Sequence, residues 1–373
     1  MLLYLLSILL CLIGAFCKRK ITQYYILCFL ILFLCFGYMT GSDWRNYEIA
    51  YASADFKNLF EERFEIGYGI LQSICHFLGI DFWTFHIGLK ILVFISLCRY
   101  ILYLRINLLL FWALFLPEMG FYLFIDCPFR NLIALGIFCL AIPSLFERRA
   151  IAYFSIVTIA ICFHTSAIIL YLIYFLWGKQ LKNLYWGILF LASNILAYDI
   201  ENLINTVFST FFSFSPFVKD KLLYYVMNDD FIQNKMNIGT IYRVLLFILF
   251  ICFRQKILNG HKYGYILFNL SMIYFAIYPF TISLKIFSRF SIYFLPFCLS
   301  SIIVLLSTMK NHITKYSILF FLLLWTFAKS YTVLTADCRY IPYSSYLQYM
   351  LEDKPSYRYR NNYNFYNSPY ENF

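Results

Sequence analysis

Long apolar runs, each closed by a basic cluster or a polar stretch, recur along the whole chain. Leu2 to Phe16 is almost wholly apolar and is followed by Lys18, Arg19 and Lys20. A cleaved signal peptide has the opposite polarity, so this run predicts an uncleaved first span with its N-terminus outside. A second span, Tyr24 to Met39, runs outward and delivers the polar stretch GSDWRNYEIAYASADFKNLFEERFE. Gly67 to Leu78 is apolar on one face but carries Gln72 and His76, the pattern of a half-helix lying at the interface. Spans over Phe82 to Tyr100, Leu108 to Ile125 and Leu132 to Phe146 follow. Arg99 and Arg105 mark one inner turn, Asp126 to Asn131 an outer one, and Glu147-Arg148-Arg149 the next inner one.

Ile151 to Trp177 reads either as one tilted helix or as two short ones hinged near Phe163-His164-Thr165-Ser166. Later charges decide between them. One helix would put Lys179, Lys182, Arg254, Lys256, Lys262, Lys310 and Lys315 outside, against the excess of Lys and Arg expected of cytoplasmic loops. A hairpin puts them all inside, with His164 near the outer surface. The remaining spans lie near Leu184 to Ala197, Ile241 to Phe253, Tyr263 to Phe280, Phe290 to Ser307 and Tyr316 to Val333. The expected architecture is all-α and polytopic, with about 12 membrane helices including the short pair. An interfacial half-helix and two larger outer loops, the second over Tyr198 to Gly239, complete it. Residues 1–333 form the membrane domain and 334–373 a Tyr-rich external tail.

Composition agrees: 62% of residues are hydrophobic and 13% charged, where a soluble domain carries about 25% charged. A soluble enzyme, a collagen-like chain and a disordered chain are excluded. The net charge of +11 is read against the bilayer, with membrane lipids as the partner and no nucleic acid. Twelve cysteines lie mostly singly in apolar runs and form no CxxC pair, so neither a zinc site nor a disulfide framework is indicated.

Ionisable groups where spans emerge are functional candidates by default. The first group is Asp43, Arg45, Asn46 and Tyr47, with Glu65 opening the half-helix; a solvated loop with a local salt bridge is the plain alternative. Arg130 stands just past a proline break, and Arg289 begins a late span; snorkelling to the interface competes for both. His164 in the hinge has no nucleophile motif beside it, so a hydrogen-bonded hinge residue is its plainer reading. Arg130 and Arg289, with Arg45 or Arg243, would make a multi-arginine site suited to a pyrophosphate. An external site has no ATP or nucleotide sugar, so its substrate must arrive on a lipid. No metal-binding DxD motif is present, Asp229-Asp230 being the nearest approach, and no metal or other cofactor is expected.

Several short segments together resemble one family. GSDWRNYEIAY, FEIGYGILQSI, FRNLIALGIF, CFHTSAIILYLIY and SRFSIYFLPF occur in the order found in the EpsG family, within the broader group of Wzy-like polysaccharide polymerases. The resemblance implies polymerisation of undecaprenyl-diphosphate-linked oligosaccharide repeat units at the outer face of the bacterial inner membrane, for O-antigen, capsule or exopolysaccharide. A chain-length regulator is a candidate partner. Matching motifs carry over Asp43, Tyr47, Glu65, Arg130, His164 and Arg289. On our reading Arg130 and Arg289 hold the donor pyrophosphate, Glu65 or His164 accepts the proton, and Asp43, Arg45 and Tyr47 orient sugars. A flippase for the same lipid-linked sugars is the alternative; it would place charges near the midplane and often shows repeated halves. A membrane O-acyltransferase would use a lone His, but on a cytoplasmic donor.

Overall fold

Backbone facing lipid has no water to bond, so an apolar chain closes its hydrogen bonds locally, as helix. This chain does so almost throughout. The computed structural model describes residues 1–59, 64–176, 180–198, 200, 237–350 and 352–367. Most of the expected second outer loop, Asp229 and Asp230 included, lies outside the described residues, as does Lys179.

In chain order the helices are α1 (Leu2–Phe16), α2 (Lys20–Cys35), α3 (Trp44–Ala52), α4 (Ile66–Phe77), α5 (Phe82–Tyr103), α6 (Leu108–Phe115), α7 (Phe129–Phe146) and α8 (Ala150–Phe163). Next come α9 (Leu170–Leu176), α10 (Asn183–Tyr198), α11 (Ile238–Cys252), α12 (Arg254–Gly260), α13 (Gly264–Ser283), α14 (Ser288–Thr308), α15 (His312–Ala336) and α16 (Tyr357–Asn367). Each segment expected to span contains a helix. Among the described residues, five helices (α5, α7, α13, α14 and α15) are long and apolar enough to cross a membrane, and the other apolar ones are shorter. Large apolar side chains stand exposed along them, Phe320 and Leu324 on α15 and Leu92 on α5 among others. Exposed apolar surface on this scale marks a protein whose solvent is lipid.

Two compact units divide the chain, Met1–Ile168 with Asn311–Phe373, and Ile169–Lys310. In the first, α7 packs between α5 and α8, α1 against α2 and α6, and α4 against α8. One end of this unit carries the turns after α1, α5 and α7, where the Asn107 amide donates to the Ala15 carbonyl at 2.8 Å and the Tyr103 hydroxyl to Glu147 at 3.1 Å. In the second unit α13 packs along α14 and α10, and α12 against α14.

Three departures from the sequence pattern shape the site. α2 stops at Cys35, short of Met39, because Gly37–Tyr38 (β1) pairs antiparallel with Ser344–Ser345 (β2). The stretch read as polar loop contains α3, whose Trp44, Tyr47 and Tyr51 lie on one face and are buried; this stripe is aromatic rather than aliphatic. After α6 the chain continues as π-helical turns, Leu116–Gly120 and Tyr122–Asp126, ending on left-handed Cys127 (φ 60°). Pro117 supplies the reason, since a ring inside a helix removes a donor and clashes with the preceding turn.

Candidate active site

α7 begins immediately after the Cys127-Pro128 break, and its first turn carries Arg130. Its Nη1 pairs with Glu65 Oε2, and its Nε donates to the Tyr47 hydroxyl at 3.1 Å. The guanidinium also lies 4.8 Å from the Phe64 ring centroid. Arg130 is 20% exposed and Glu65 16%, enough for a ligand to reach them while most surrounding water is excluded. Tyr47 packs its ring against Phe64, Tyr68 and Phe129, with centroids 5.4, 5.5 and 5.6 Å away. Burial pushes the Tyr47 phenol up, against the opposing pull of Arg130, so it stays protonated.

Glu65 is the residue before α4, extended (ψ 143°), which turns its side chain off the helix axis. Its Oε1 accepts from the Thr165 amide at 3.2 Å. This bond comes from the interruption after α8, where His164 is extended (φ −156°, ψ 122°) before a 3₁₀ segment, Thr165–Ile169. α4 reaches α8 because Gly67 is bare: a Cβ there would meet the Cys162 carbonyl oxygen at 2.7 Å. The His164 ring is buried, with Nδ1 accepting the Ser166 amide at 3.2 Å and lying 2.7 Å from the Ser166 hydroxyl. Toward the Ser166 amide Nδ1 is the acceptor.

The structure thus joins Tyr47, Glu65 and Arg130 directly, and brings His164 beside them through the backbone of Thr165. Arg45 turns elsewhere. Its Nη1 donates to the Gly41 carbonyl at 2.6 Å, and its Nε and Nη2 donate to Asn361 at 2.8 Å each. Burial lowers its pKa. Asp43 precedes α3 and accepts from the Ser42 hydroxyl at 3.4 Å.

Arg243 and Arg289 belong to the second unit. Arg243, on α11, is buried between Tyr242 and Tyr278, 5.0 and 4.4 Å from their ring centroids, and reaches the Tyr274 hydroxyl at 3.3 Å. Arg289 is half-buried in the first turn of α14.

Sequence reasoning missed a second polar layer in the first unit. Asp126 accepts from the Ser42 amide and hydroxyl at 2.9 and 2.8 Å and from Arg339 at 2.8 Å. Arg339 is burdened by desolvation, but its bonds to Asp337 and the Asp126 charge outweigh this and raise its pKa. Glu48 receives Arg360 at 2.7 Å and the Trp83 indole at 3.0 Å. Gly41 (φ +81°) admits this clasp, since a Cβ would strike the Ile125 carbonyl oxygen at 2.3 Å. Among the described residues no group of His, Cys, Asp or Glu is placed to hold a metal ion.

Fold and cluster together describe a helical membrane protein with an arginine–carboxylate–tyrosine cluster as its candidate site. A family model matches residues 20–345, and the chain belongs to the EpsG family, a family of Wzy-like polymerases. No curated protein and no solved structure matches the chain.

Proposed function

We propose that the protein is a multi-pass polymerase of the bacterial inner membrane, joining oligosaccharide repeat units carried on undecaprenyl diphosphate at the outer face. The observation that carries this reading is the contact of Arg130 with Glu65 and Tyr47 in a family of polysaccharide polymerases. A guanidinium paired with a carboxylate presents the same planar fork that binds phosphate oxygens. On this reading the Glu65 carboxylate marks the place that a donor phosphate takes against Arg130. When the lipid diphosphate arrives, Arg130 turns to it and Glu65 is released to act as base. An acceptor hydroxyl oxygen then attacks the anomeric carbon of the donor sugar, the bond from that carbon to the diphosphate breaks, Glu65 takes the hydroxyl proton, and undecaprenyl diphosphate leaves with the electron pair. Arg130 stabilises the leaving charge. His164 holds the chain break that presents Thr165, and Asp43, Arg45 and Tyr47 organise the sugar side.

Orientation follows from charge. The turns after α1, α5 and α7 carry Lys18, Arg19, Lys20, Arg105, Arg148 and Arg149 with Glu147 as their acidic member, which supports placing that end in the cytoplasm and the tail from residue 334 outside. A flippase remains the alternative reading, and one comparison separates the two. Deletion of the gene is expected to remove long surface glycan and leave single-unit product; loss of both indicates a flippase. Arg130→Ala and Glu65→Gln, at unchanged protein level, are expected to reproduce the deletion, with transfer reduced at least 100-fold. An unchanged glycan ladder in both variants overturns the role assignment.

A further inference from the structure

α4 is built inside out relative to a helix of a soluble protein. Ile70, Ile74 and Phe77 are exposed, Phe77 at 81%, whereas Tyr68, Gln72 and Ser73 face inward. Polar side chains on the inner face of a helix usually close a bond to protein. Ser7, Ser96 and Ser330, buried on other helices of the same unit, do so by bonding back to their own helix, to the Tyr4 carbonyl at 2.6 Å, to Leu92 at 2.9 Å and to Thr326 at 2.7 Å respectively. Ser73 does not. Its hydroxyl is buried without a hydrogen-bond partner although the residue is only 1% exposed. An unmet hydroxyl at that depth carries a penalty that a ligand would remove.

Ser73 lines a cavity of about 290 Å³ between α4 and the chain that leaves α3. The other polar groups on its wall are Ser53, Asp55 and His76, and its aromatic members are Phe56 and Phe77. Hydroxyls, one imidazole and one carboxylate among aromatic faces suit a neutral polyol, which offers hydroxyl donors to the carboxylate and C–H faces to the rings. The carboxylate of Asp55 repels a phosphate, so the diphosphate is directed to Arg130 and not here. Its size is at the lower end for ligand pockets, enough for one or two sugars rather than a whole repeat unit. Ser73 follows Glu65 by eight positions along α4, so the cavity lies roughly 12 Å along the helix from the reacting groups.

Resting on the polymerase reading, we infer that the cavity formed by Asp55, Ser73 and His76 is a saccharide subsite that holds a neutral sugar of the glycan while Glu65 and Arg130 act on its end. Glycan fragments released by mild acid from the surface of the source cells serve as the probe, titrated onto the full chain in lipid nanodiscs. Wild-type protein is expected to bind them, Ser73→Ala and Asp55→Asn about tenfold more weakly, and Ala52→Trp, which fills the cavity from its exposed rim, not measurably. Thermal unfolding of Ser73→Ala is expected at or above the wild-type temperature, because removing an unmet hydroxyl relieves a penalty; an ordinary structural serine gives the reverse. Absence of binding to wild-type protein, or equal binding to all four proteins, overturns the subsite. That result is separate from the glycan ladder: an unchanged ladder in the Arg130 and Glu65 variants overturns the polymerase whatever the fragments do. Where both hold, Ser73→Ala still makes glycan, but with shorter chains.

Discussion

Tyr47 holds Arg130 by one hydroxyl while its ring is wedged among three aromatic neighbours. Tyr47→Phe keeps the ring and deletes the bond, so the guanidinium is less well aimed but not lost. The expected outcome is a drop of roughly fivefold in transfer rate, about 1 kcal/mol, at unchanged protein level, measured as ladder formation from a synthetic lipid-linked repeat unit. At this scale the sequence was informative where chemistry is local. Asp43, Tyr47, Glu65, Arg130 and His164 stand out because charged or aromatic groups interrupt apolar runs, and Tyr47, Glu65 and Arg130 touch in the structure. Arg45 was legible as a charged residue but its direction was not, because its partner Asn361 lies 316 positions away. Glu48 and Arg360 are paired over 312 positions and left no spacing to read.

Helices were predicted from apolar periodicity, and their positions followed it closely: α1 over Leu2–Phe16 and α5 from Phe82. Periodicity says nothing of the π-helical turns after α6, which follow from Pro117, nor of α3, whose buried face is made of rings set in a polar sequence. The interruption at His164 was read from charge arithmetic, and its place in the structure follows that reading. How tightly elements meet is a further property the pattern omits. Gly67→Ala sets a methyl against the Cys162 carbonyl oxygen, so α4 must back away from α8 and carry Glu65 with it. We expect a loss of about 1–3 kcal/mol in stability, seen as a lower unfolding temperature in detergent, together with weaker transfer. Asp81 caps α5 by accepting from the Trp83 and Thr84 amides at 3.1 and 3.3 Å. Burial raises its pKa, but bonds from Thr84, the Lys354 charge and the Trp83 amide outweigh burial and leave it below the ordinary value. Asp81→Ala is expected to cost about 1 kcal/mol near neutral pH. Because the folded value is depressed, the stabilisation is complete above the unfolded value of about 3.9 and is lost as pH falls through the folded one. Unfolding temperatures of variant and wild type should therefore converge on acidification below about pH 4.

Across the whole molecule, the first unit is closed by residues from both extremes of the chain. The Tyr4 hydroxyl donates to the Tyr340 carbonyl at 2.6 Å, the two short strands pair, and Arg339 and Arg360 meet Asp126 and Glu48. The family match ends at residue 345, so Arg360 lies beyond it although its partner Glu48 lies within it. Composition revealed only that this segment is rich in Tyr, Asn and Arg, a bias that anchoring at an interface explains as well. Asp126 is 5% exposed in its pair with Arg339. Asp126→Asn is expected to destabilise by about 3 kcal/mol. Arg339→Gln should add little once Asp126 is already neutral, a non-additivity of about 1–2 kcal/mol that a double-mutant cycle in thermal unfolding measures. The clasp also orders biogenesis. Asp126 and Glu48 leave the ribosome long before Arg339 and Arg360, so the early helices are made before the arginines that pair with these two carboxylates. A chain truncated after α15 lacks both arginines, and pulse-chase labelling is expected to show it decaying faster than the full-length protein.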